Sequence, residues 1–388
     1  MIDRERHDEL AVAGDLANLG VILKNMGEYS RAMVSLEEAL ALPALAEDPT
    51  TLVYSLQNLA NVHRALGNLD RALELLQRAD KISRTHLLPI QRSFHLMALA
   101  HIFLQQGRIP ESLRTYEEAV ALSRRAHHAD GLVQSLRAFG EVLFGLGRHS
   151  EARPCFEEAA TLFSQLEDRA GEADMYTRLA TVLERSADIS EAQGAWEKVR
   201  ALRAQLGDAR GELDALEGIA RSARARSAAP SEVIPRAEAA LALASTLGDE
   251  RREAALRNTL GILEWESGNY MRALRHYEIA LALLRRVGDR VHEGLALNSL
   301  AVTLARLNRH DEARTALEES VLLNRQTGER LLQAHALAAL GDVHVAGRRF
   351  AAAVECFGQS QELRRLLADL PGEQRMHQRL EQVRTLME

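Results

Sequence analysis

Small and bulky apolar residues recur among polar ones in a pattern that returns every forty residues along the chain. In each period a small residue, called here the anchor, directly follows a bulky apolar one. Further apolar residues lie three or four positions apart, as at Leu16, Leu19 and Leu23. This spacing predicts an amphipathic α-helix around each anchor. The anchors are Gly20, Ala60, Ala100, Gly140, Ala180, Ala220, Gly261, Ala301 and Gly341, with one step of 41 before Gly261.

The second half of each period predicts another helix. In most periods a glycine seven residues after the anchor, such as Gly27, supplies the left-handed C-cap of the first helix. An N-cap residue such as Ser30 then opens the second helix. Within it, small residues such as Ala32 and Ala39 flank the bulky Leu36, so that two helices cross closely and the bulky side chain fills the adjacent hole. No segment predicts a strand, and we expect an all-α fold.

The succession of bulky residue, Gly or Ala anchor, turn glycine, and then small, bulky and small residues is similar to the tetratricopeptide repeat. The forty-residue period is longer than the usual period of about 34 residues. It resembles the long-helix subclass found in kinesin light chains, Pins-type polarity proteins and bacterial regulators. The resemblance implies a right-handed α-solenoid of nine helix-turn-helix repeats, in which the first helix of each repeat lines a concave groove.

The repeats also predict how the chain is organised. Residues 1–12 form an N-terminal lead-in, residues 13–367 hold the nine repeats, and residues 368–388 form a C-terminal capping helix. The capping helix has one apolar and one polar face, as the end of a solenoid requires. In the sixth repeat, segment 221–235 lacks the turn glycine and holds the extra residue. This segment is either a hinge or a turn whose sequence has drifted.

Composition and charge exclude several classes of protein. The 388 residues are 46% hydrophobic but only 4% aromatic, which suits packed helices. Two cysteines are too few for a disulfide framework, no apolar run could span a membrane, and the first ten residues are not a secretory signal. The net charge of −7 and the scattered arginines argue against direct nucleic-acid binding. We therefore expect a cytoplasmic protein. Among its 48 basic residues, only Lys24, Lys81 and Lys198 are lysines.

The sequence contains no recognisable catalytic or metal-binding motif. None of the three lysines follows a glycine, as a phosphate-binding loop requires, and neither His-Glu-x-x-His nor Cys-x-x-Cys occurs. Cys155 and Cys356 occupy the same position of two repeats, beside Phe156 and Phe357, which favours packing over nucleophilic chemistry. We expect no enzymatic activity, no cofactor and no metal.

Helical geometry predicts which residues meet a ligand. At about 100° per residue, positions six, three and two before the anchor and one after it lie opposite the core-facing positions. Amides there would grip a peptide backbone, since an amide both donates and accepts hydrogen bonds, and Trp265 at the margin would be an aromatic anchor. The charged members would alternatively pair with one another. The candidate ligand-binding residues are Asn18, Tyr54, Gln57, Asn58, Asn61, Phe94, His101, Arg137, Glu141, Arg178, Arg221, Asn258, Trp265 and Asn298.

Two kinds of function fit these expectations. The first is a protein-interaction scaffold that binds a peptide or protein segment in the concave groove. The resemblance to bacterial regulators implies that it is the sensor or partner-docking array of a signalling or transcriptional system. The alternative is a receptor for a signal peptide or small molecule, whose superhelical pitch changes on binding. Self-association through the N-terminal end, which lacks a capping helix, is left open as well.

Overall fold

The computed structural model describes residues 2–86 and 88–388, which form nineteen α-helices and one short 3₁₀-helix and contain no strand. The predicted all-α fold is confirmed. The chain divides into two compact units, of which unit 1 ends at Asp188 and unit 2 begins at Ile189. Within each unit consecutive helices pack against one another, which is the arrangement of an α-solenoid.

Unit 1 contains the first four repeats and the first helix of the fifth. Its helices are α1 (Ile2–Asn25), α2 (Tyr29–Ala41), the 3₁₀-helix (Pro43–Glu47), α3 (Pro49–Ala65), α4 (Leu69–Thr85), α5 (Pro89–Gln105), α6 (Ile109–Arg125), α7 (Ala129–Gly145), α8 (His149–Gln165) and α9 (Arg169–Arg185). The odd-numbered helices carry the anchors. The predicted lead-in therefore belongs to the first helix, which begins at Ile2.

Unit 2 begins with the second helix of the fifth repeat and contains the remaining four repeats and the last helix. Its helices are α10 (Ile189–Leu206), α11 (Ala209–Ala225), α12 (Pro230–Thr246), α13 (Glu250–Glu266), α14 (Tyr270–Val287), α15 (Arg290–Arg306), α16 (His310–Thr327), α17 (Arg330–Ala346), α18 (Phe350–Leu366) and α19 (Leu370–Met387). Here too, anchors lie on odd-numbered helices, and α19 lies in the segment for which a capping role is predicted. It packs Met376, Leu380 and Val383 against α18.

The turns between helices repeat one backbone conformation. At Gly107, for example, φ is 73°, the Gly107 N–H donates to the carbonyl O of Leu104 and the Arg108 N–H donates to that of Phe103. This pair of bonds is the Schellman cap that the turn glycine predicts. Most turns between repeats use the same conformation, although α2 leads into α3 through the 3₁₀-helix instead, and several non-glycine residues adopt it. Those residues are His127, Glu167, Ala187, Ser227, Asn308, Arg348 and Ala368.

The extra residue of the sixth repeat lies in the turn between α11 and α12. Ser227 has a φ of 57°, and the Ala228 N–H donates to the carbonyl O of Ala223 at 3.2 Å, so the capping bond is kept. One additional residue, Ala229, then precedes Pro230. Pro230 begins α12, where the missing N–H of proline has no helical partner to lose. Segment 221–235 lies wholly within unit 2, and its role as a hinge stays a prediction.

The anchors lie where the two helices of a repeat cross, as the sequence predicted. A Cβ atom added to Gly261 would come within 2.5 Å of the Tyr277 ring, and one added to Gly341 within 2.5 Å of the Phe357 ring. In these two repeats the bulky residue sixteen positions after the anchor fills the space that the glycine leaves open. This packing positions α13 and α17 against the helices that follow them.

The remaining expectations concern membranes, metals and the two cysteines. No helix in the described ranges is long and apolar enough to cross a membrane. Across those same residues, no three His, Cys, Asp or Glu side chains gather as metal ligands would. Cys155 and Cys356 are buried, unbonded thiols. Burial raises the pKa of each to about 11, so that both are protonated at neutral pH.

Candidate ligand-binding surface

The side of the odd-numbered helices that carries the candidate ligand residues is called here the odd-helix face. In unit 1, a cavity of about 430 Å³ opens between α3 and α5 on this face. Three sequence-predicted residues, Tyr54, Gln57 and Phe94, line it together. Tyr54 is 41% exposed, although it is a large aromatic residue. The cavity, called the unit 1 pocket, is completed by Thr50, Thr51, Val53, Ile90 and Gln91.

A buried polar chain holds Gln57 at the wall of this pocket. The His95 Nδ1 atom lies 3.3 Å from Gln57 Oε1, which can only accept, so Nδ1–H donates to it. In this tautomer Nε2 accepts a hydrogen bond from the Ser83 hydroxyl at 2.7 Å, and the same hydroxyl lies 2.9 Å from the Ala79 carbonyl O. His95 is completely buried, and burial lowers its pKa to about 4, so the ring is neutral at neutral pH.

A second cavity, of about 330 Å³, lies between α13 and α15 and is called the unit 2 pocket. Six of its nine lining residues occupy the same positions relative to the anchors as residues of the unit 1 pocket, but its lining is more polar. The predicted residue Asn258 lies here. Its Oδ1 atom, like that of Asn298 on α15, is buried without a hydrogen-bond partner in the described part of the chain. The other lining residues are Arg251, Ala254, Ala255, Thr259, Leu284, Asp289, His292 and Leu295.

Some of the charged candidates pair with one another, which was the alternative that the sequence left open. Glu141 of α7 and Arg178 of α9 form an ion pair at 3.5 Å, where both line a cavity of about 200 Å³. Arg137 donates to Gln134 Oε1 at 2.7 Å. An ion pair between exposed side chains contributes little stability, so these contacts order the odd-helix face more than they strengthen the fold.

The amides of unit 1 differ in how available they are to a ligand. Asn18 is exposed on α1, and Asn61 is half-buried on α3. Asn58, by contrast, is only 7% exposed. Its Nδ2 donates to the helix carbonyl four residues earlier at 2.9 Å, and its Oδ1 accepts from Lys24 Nζ at 3.5 Å. The Asn58 amide therefore serves helix packing, unlike its neighbours on the same face.

Two predicted residues of unit 2 contact aromatic or cationic partners. The Arg221 guanidinium lies 5.7 Å from the centroid of the Trp196 ring. Trp265 is half-buried, and its ring meets that of Tyr270 edge-on at 6.0 Å while the Arg306 guanidinium lies 6.0 Å from it. Trp265 is thus held by its own neighbours, and part of its surface remains accessible.

Sequence reasoning missed residues at both ends of the odd-helix face. The four predicted positions, from six residues before the anchor to one after it, form a stripe along one side of the helix. By helical periodicity the same side also includes the positions ten residues before the anchor and four after it. Thr50 and Arg251, ten residues before their anchors, line the two pockets. Lys24 and Arg64, four residues after theirs, extend the face at the other end of the helices. Extending the stripe by one turn in each direction would have found all four.

The part of the odd-helix face that follows the anchors carries Lys24, Arg64 and the predicted His101. These residues come from three successive odd-numbered helices. Burial and the nearby charge of Arg64 lower the pKa of Lys24. Burial, again with a contribution from Arg64, lowers the pKa of His101. The Nδ1 atom of His101 is hydrogen-bonded to the hydroxyl of the buried Tyr116. The charge of Glu141 acts in the opposite direction and raises the pKa of His101.

Comparison with protein families agrees with the repeat pattern. A family model described as tetratricopeptide repeat matches residues 92–165, 251–326 and 292–365. A second model of the same description matches residues 16–42 and 52–89. Together these matches extend over more than half of the chain. No curated protein matches the sequence significantly.

Two solved structures share this fold at low sequence identity. One is a Signal Transduction ATPase with Numerous Domains (STAND) protein with a tetratricopeptide repeat sensor from Pyrococcus horikoshii, at 13% identity and a TM-score of 0.55 over 90% of this chain and 54% of that one. This chain thus spans about half of that protein. Another is the C-terminal part of a TPR repeat-containing protein from Cytophaga hutchinsonii, at 12% identity and a TM-score of 0.51 over 69% of this chain and 95% of that one. A putative kinesin light chain from Podosopora anserina aligns at 21% identity and a TM-score of 0.42, over 50% of this chain and 95% of that one.

Proposed function

Because this chain belongs to the tetratricopeptide repeat family, we propose that it is a protein-interaction module that binds a peptide or protein segment on its odd-helix face. The observation that carries the proposal is the unit 1 pocket. It brings Tyr54, Gln57 and Phe94 together, and these are three residues that the repeat geometry alone assigned to the ligand-facing side.

The chemistry of the unit 1 pocket favours an apolar side chain as the occupant. Tyr54, Phe94, Val53 and Ile90 supply aromatic and aliphatic walls, and Tyr54 is 41% exposed. Covering such surface contributes about 25 cal/mol per Å² of apolar area removed from water. An aromatic or large aliphatic residue inserted here would be the energetic centre of the interface.

Gln57 adds a polar contact to the same pocket. Its amide is positioned by His95, which is itself fixed by Ser83. A side chain with one orientation loses little conformational entropy on binding. The amide atom that does not meet His95 is free to pair with the backbone of a bound segment, so the pocket combines an apolar anchor with a backbone contact.

Selection from a displayed peptide library on the full chain, followed by calorimetry, tests this proposal. We expect the selected peptides to share one large apolar residue. Phe94→Ala should weaken their binding about tenfold or more, because an anchor pocket loses its wall. Leu295→Ala is the matched control, since Leu295 occupies in the unit 2 pocket the position that Phe94 occupies in the unit 1 pocket.

The exposed Tyr54 provides a second variant that leaves the core intact. Tyr54→Ala should reduce the affinity for the same peptides, with an unchanged melting temperature. Peptides that bind equally to wild type, Phe94→Ala and Tyr54→Ala would contradict the proposal, as would a selection that yields no binding peptide at all.

A further inference from the structure

The side-chain amide of Gln57 has one end engaged and the other unpaired. Its Oε1 atom accepts a hydrogen bond from His95 Nδ1–H at 3.3 Å. Its Nε2 atom, at the other end of the same planar group, has no hydrogen-bond partner among the residues that the structure describes. An amide nitrogen carries two hydrogens and cannot accept. Gln57 therefore presents only hydrogen-bond donors to the pocket that it lines.

The contact with Ser83 supports this direction of hydrogen bonding. The hydroxyl lies 2.7 Å from His95 Nε2, which is a usual distance for a hydroxyl donor and the short end of the range for an N–H donor. His95 is completely buried, and burial lowers its pKa to about 4, so the ring carries a single N–H proton at neutral pH. With Ser83 donating to Nε2, that proton lies on Nδ1. Turning the Gln57 amide over would set donor against donor and leave a buried N–H unpaired, which is costly.

The rest of the unit 1 pocket is uncharged. None of its eight described lining residues is Asp, Glu, Lys or Arg. The hydroxyl of Thr51 donates to Asp48 Oδ2 at 2.6 Å and is therefore already engaged. A charged group would lose hydration in this pocket without gaining a counter-charge. The pocket thus suits a neutral group that can accept a hydrogen bond.

The unit 2 pocket lacks this arrangement. Asn258 occupies there the position of Gln57, three residues before its anchor. The residues that correspond to the buried serine and histidine are Leu284 and Ala296, whose side chains carry no donor. The Asn258 Oδ1 atom has no hydrogen-bond partner within the described ranges. A buried donor therefore engages the amide oxygen in unit 1, and nothing corresponding to it does so in unit 2.

We infer that His95 is a positioning residue that fixes the polarity of the Gln57 amide. The unit 1 pocket then selects an apolar group that carries an uncharged acceptor oxygen, such as a carbonyl, over one that carries an N–H donor. The inference rests on the proposed function, because it specifies the chemistry of the segment bound at this pocket. A ligand N–H placed against the Gln57 N–H groups would leave donors on both sides unpaired.

Three probes of similar size test this selection. They are acetophenone, which has a carbonyl acceptor, α-methylstyrene, in which a carbon replaces the carbonyl oxygen, and N-methylaniline, which has an N–H donor. Each is titrated against the full chain with ¹³C-labelled isoleucine methyl groups. Ile90 at the pocket wall reports binding, and Ile90→Val assigns its signal. We expect acetophenone to bind about fivefold more tightly than α-methylstyrene, and N-methylaniline no more tightly than α-methylstyrene.

Two variants separate the amide from the residue that positions it. Gln57→Met removes the amide, so acetophenone and α-methylstyrene should bind equally. Ser83→Leu/His95→Ala keeps Gln57 and the pocket walls but releases the amide, which can then turn either end towards a ligand. The preference for acetophenone over N-methylaniline should fall to about twofold or less, while the affinity for α-methylstyrene, which reports an intact pocket, stays the same. An unchanged preference in this variant would overturn the role of His95.

The tautomer of His95 provides a readout that needs no ligand. In the full chain labelled with ¹⁵N-histidine, two-bond ¹H–¹⁵N correlation spectra distinguish a protonated ring nitrogen from an unprotonated one. The signals of His95 are those that disappear in Ser83→Leu/His95→Ala. We expect a protonated Nδ1 and an unprotonated Nε2 at neutral pH. The opposite tautomer would overturn the inference, because Gln57 would then turn its oxygen towards the pocket.

Failure of this inference is distinguishable from failure of the proposed function. Selected peptides that depend on Phe94, together with probes that bind equally or not at all, would remove the selection for an acceptor and leave the proposed function standing. The expected order of the three probes in a chain that selects no peptide would do the reverse.

Discussion

The unit 1 and unit 2 pockets lie at the same positions relative to their anchors but differ in chemistry. Tyr54 corresponds to Ala255, Phe94 to Leu295 and Thr50 to Arg251, so an aromatic wall in one pocket becomes an aliphatic and cationic wall in the other. The comparison teaches that the helix repeat determines where a cavity opens between neighbouring odd-numbered helices. The side chains at those positions determine what each cavity accepts.

The polar support beneath the pockets differs in the same way. His95 and Ser83, which hold Gln57, correspond to Ala296 and Leu284 in unit 2, and all four are buried. Unit 2 therefore fills with apolar side chains the space in which unit 1 keeps a hydrogen-bonded histidine. This exchange of a polar network for apolar packing is the basis of the largest effect that we expect.

The stability of unit 1 should depend on pH through His95. Its folded pKa, about 4, lies below the unfolded value of 6.5, so the unfolded chain binds the proton first. The stabilisation present above pH 6.5 is lost as the pH falls towards 4, by about 3 kcal/mol. The test compares wild type with Ser83→Leu/His95→Ala, which places the unit 2 residues at these two positions. The free energies of unfolding of the two proteins, measured in urea, should approach each other as the pH falls through this range. A pH dependence that is equal in both proteins would show that His95 is not its source.

The crossings beneath the pockets should tolerate different side chains. In unit 1 the second repeat pairs Ala60 with Leu76, whereas in unit 2 the seventh pairs Gly261 with Tyr277, whose ring leaves no room for a Cβ. Gly261→Ala should destabilise unit 2 by about 2 kcal/mol. Adding Tyr277→Leu, which recreates the unit 1 pair, should recover part of that loss in thermal unfolding.

Gly358 is the matched control for this substitution. It lies within α18, and a Cβ added there meets no atom within 4 Å. Gly358→Ala should stabilise the protein by about 0.5–1 kcal/mol, because alanine has the higher helix propensity. If both glycine substitutions change stability in the same direction, the crowding at Gly261 does not determine the crossing.

The smallest expected change in stability comes from substitutions in the turns. It tests whether the two units share one turn geometry. Glu167 in unit 1 and Arg348 in unit 2 both hold left-handed φ angles, of 58° and 55°. Replacing either with glycine should raise the stability by about 0.5–1 kcal/mol, since glycine adopts this conformation without steric strain. The two gains, measured by denaturant unfolding, should be equal. Asn308→Gly should gain less, because asparagine already tolerates the conformation.

Much of the fold was predictable because its determinants are local and repeated. The anchor residues and the bulky residue sixteen positions later report a helix crossing directly, as the Gly261 and Tyr277 contact illustrates. Turns without glycine, such as that at Glu167, carried no residue signal of their own. The division into units at Asp188 is not apparent in the repeat pattern either, because it falls inside a repeat.

The candidate site was predictable only in part. The helical stripe contained Tyr54, Gln57 and Phe94, which line one cavity in the structure. It also included Asn58, but a position two residues before the anchor lies at the edge of the packed side, and there the amide is buried. The buried His95 chain could not be inferred, because it depends on which side chains of adjacent repeats meet. Tertiary contacts between repeats, unlike contacts within one, leave no periodic trace in the sequence.

The turn of the sixth repeat suggests where this scaffold would accept foreign sequence. Ala229 already adds one residue there without loss of the cap at Ala223 or displacement of Pro230 from the helix start. Exposed turns of this kind are the sites at which grafted loops and inserted domains are best tolerated. An epitope or reporter placed between Ser227 and Pro230 would keep both flanking helices in phase. The protein could thus be tagged internally while both pockets keep their walls.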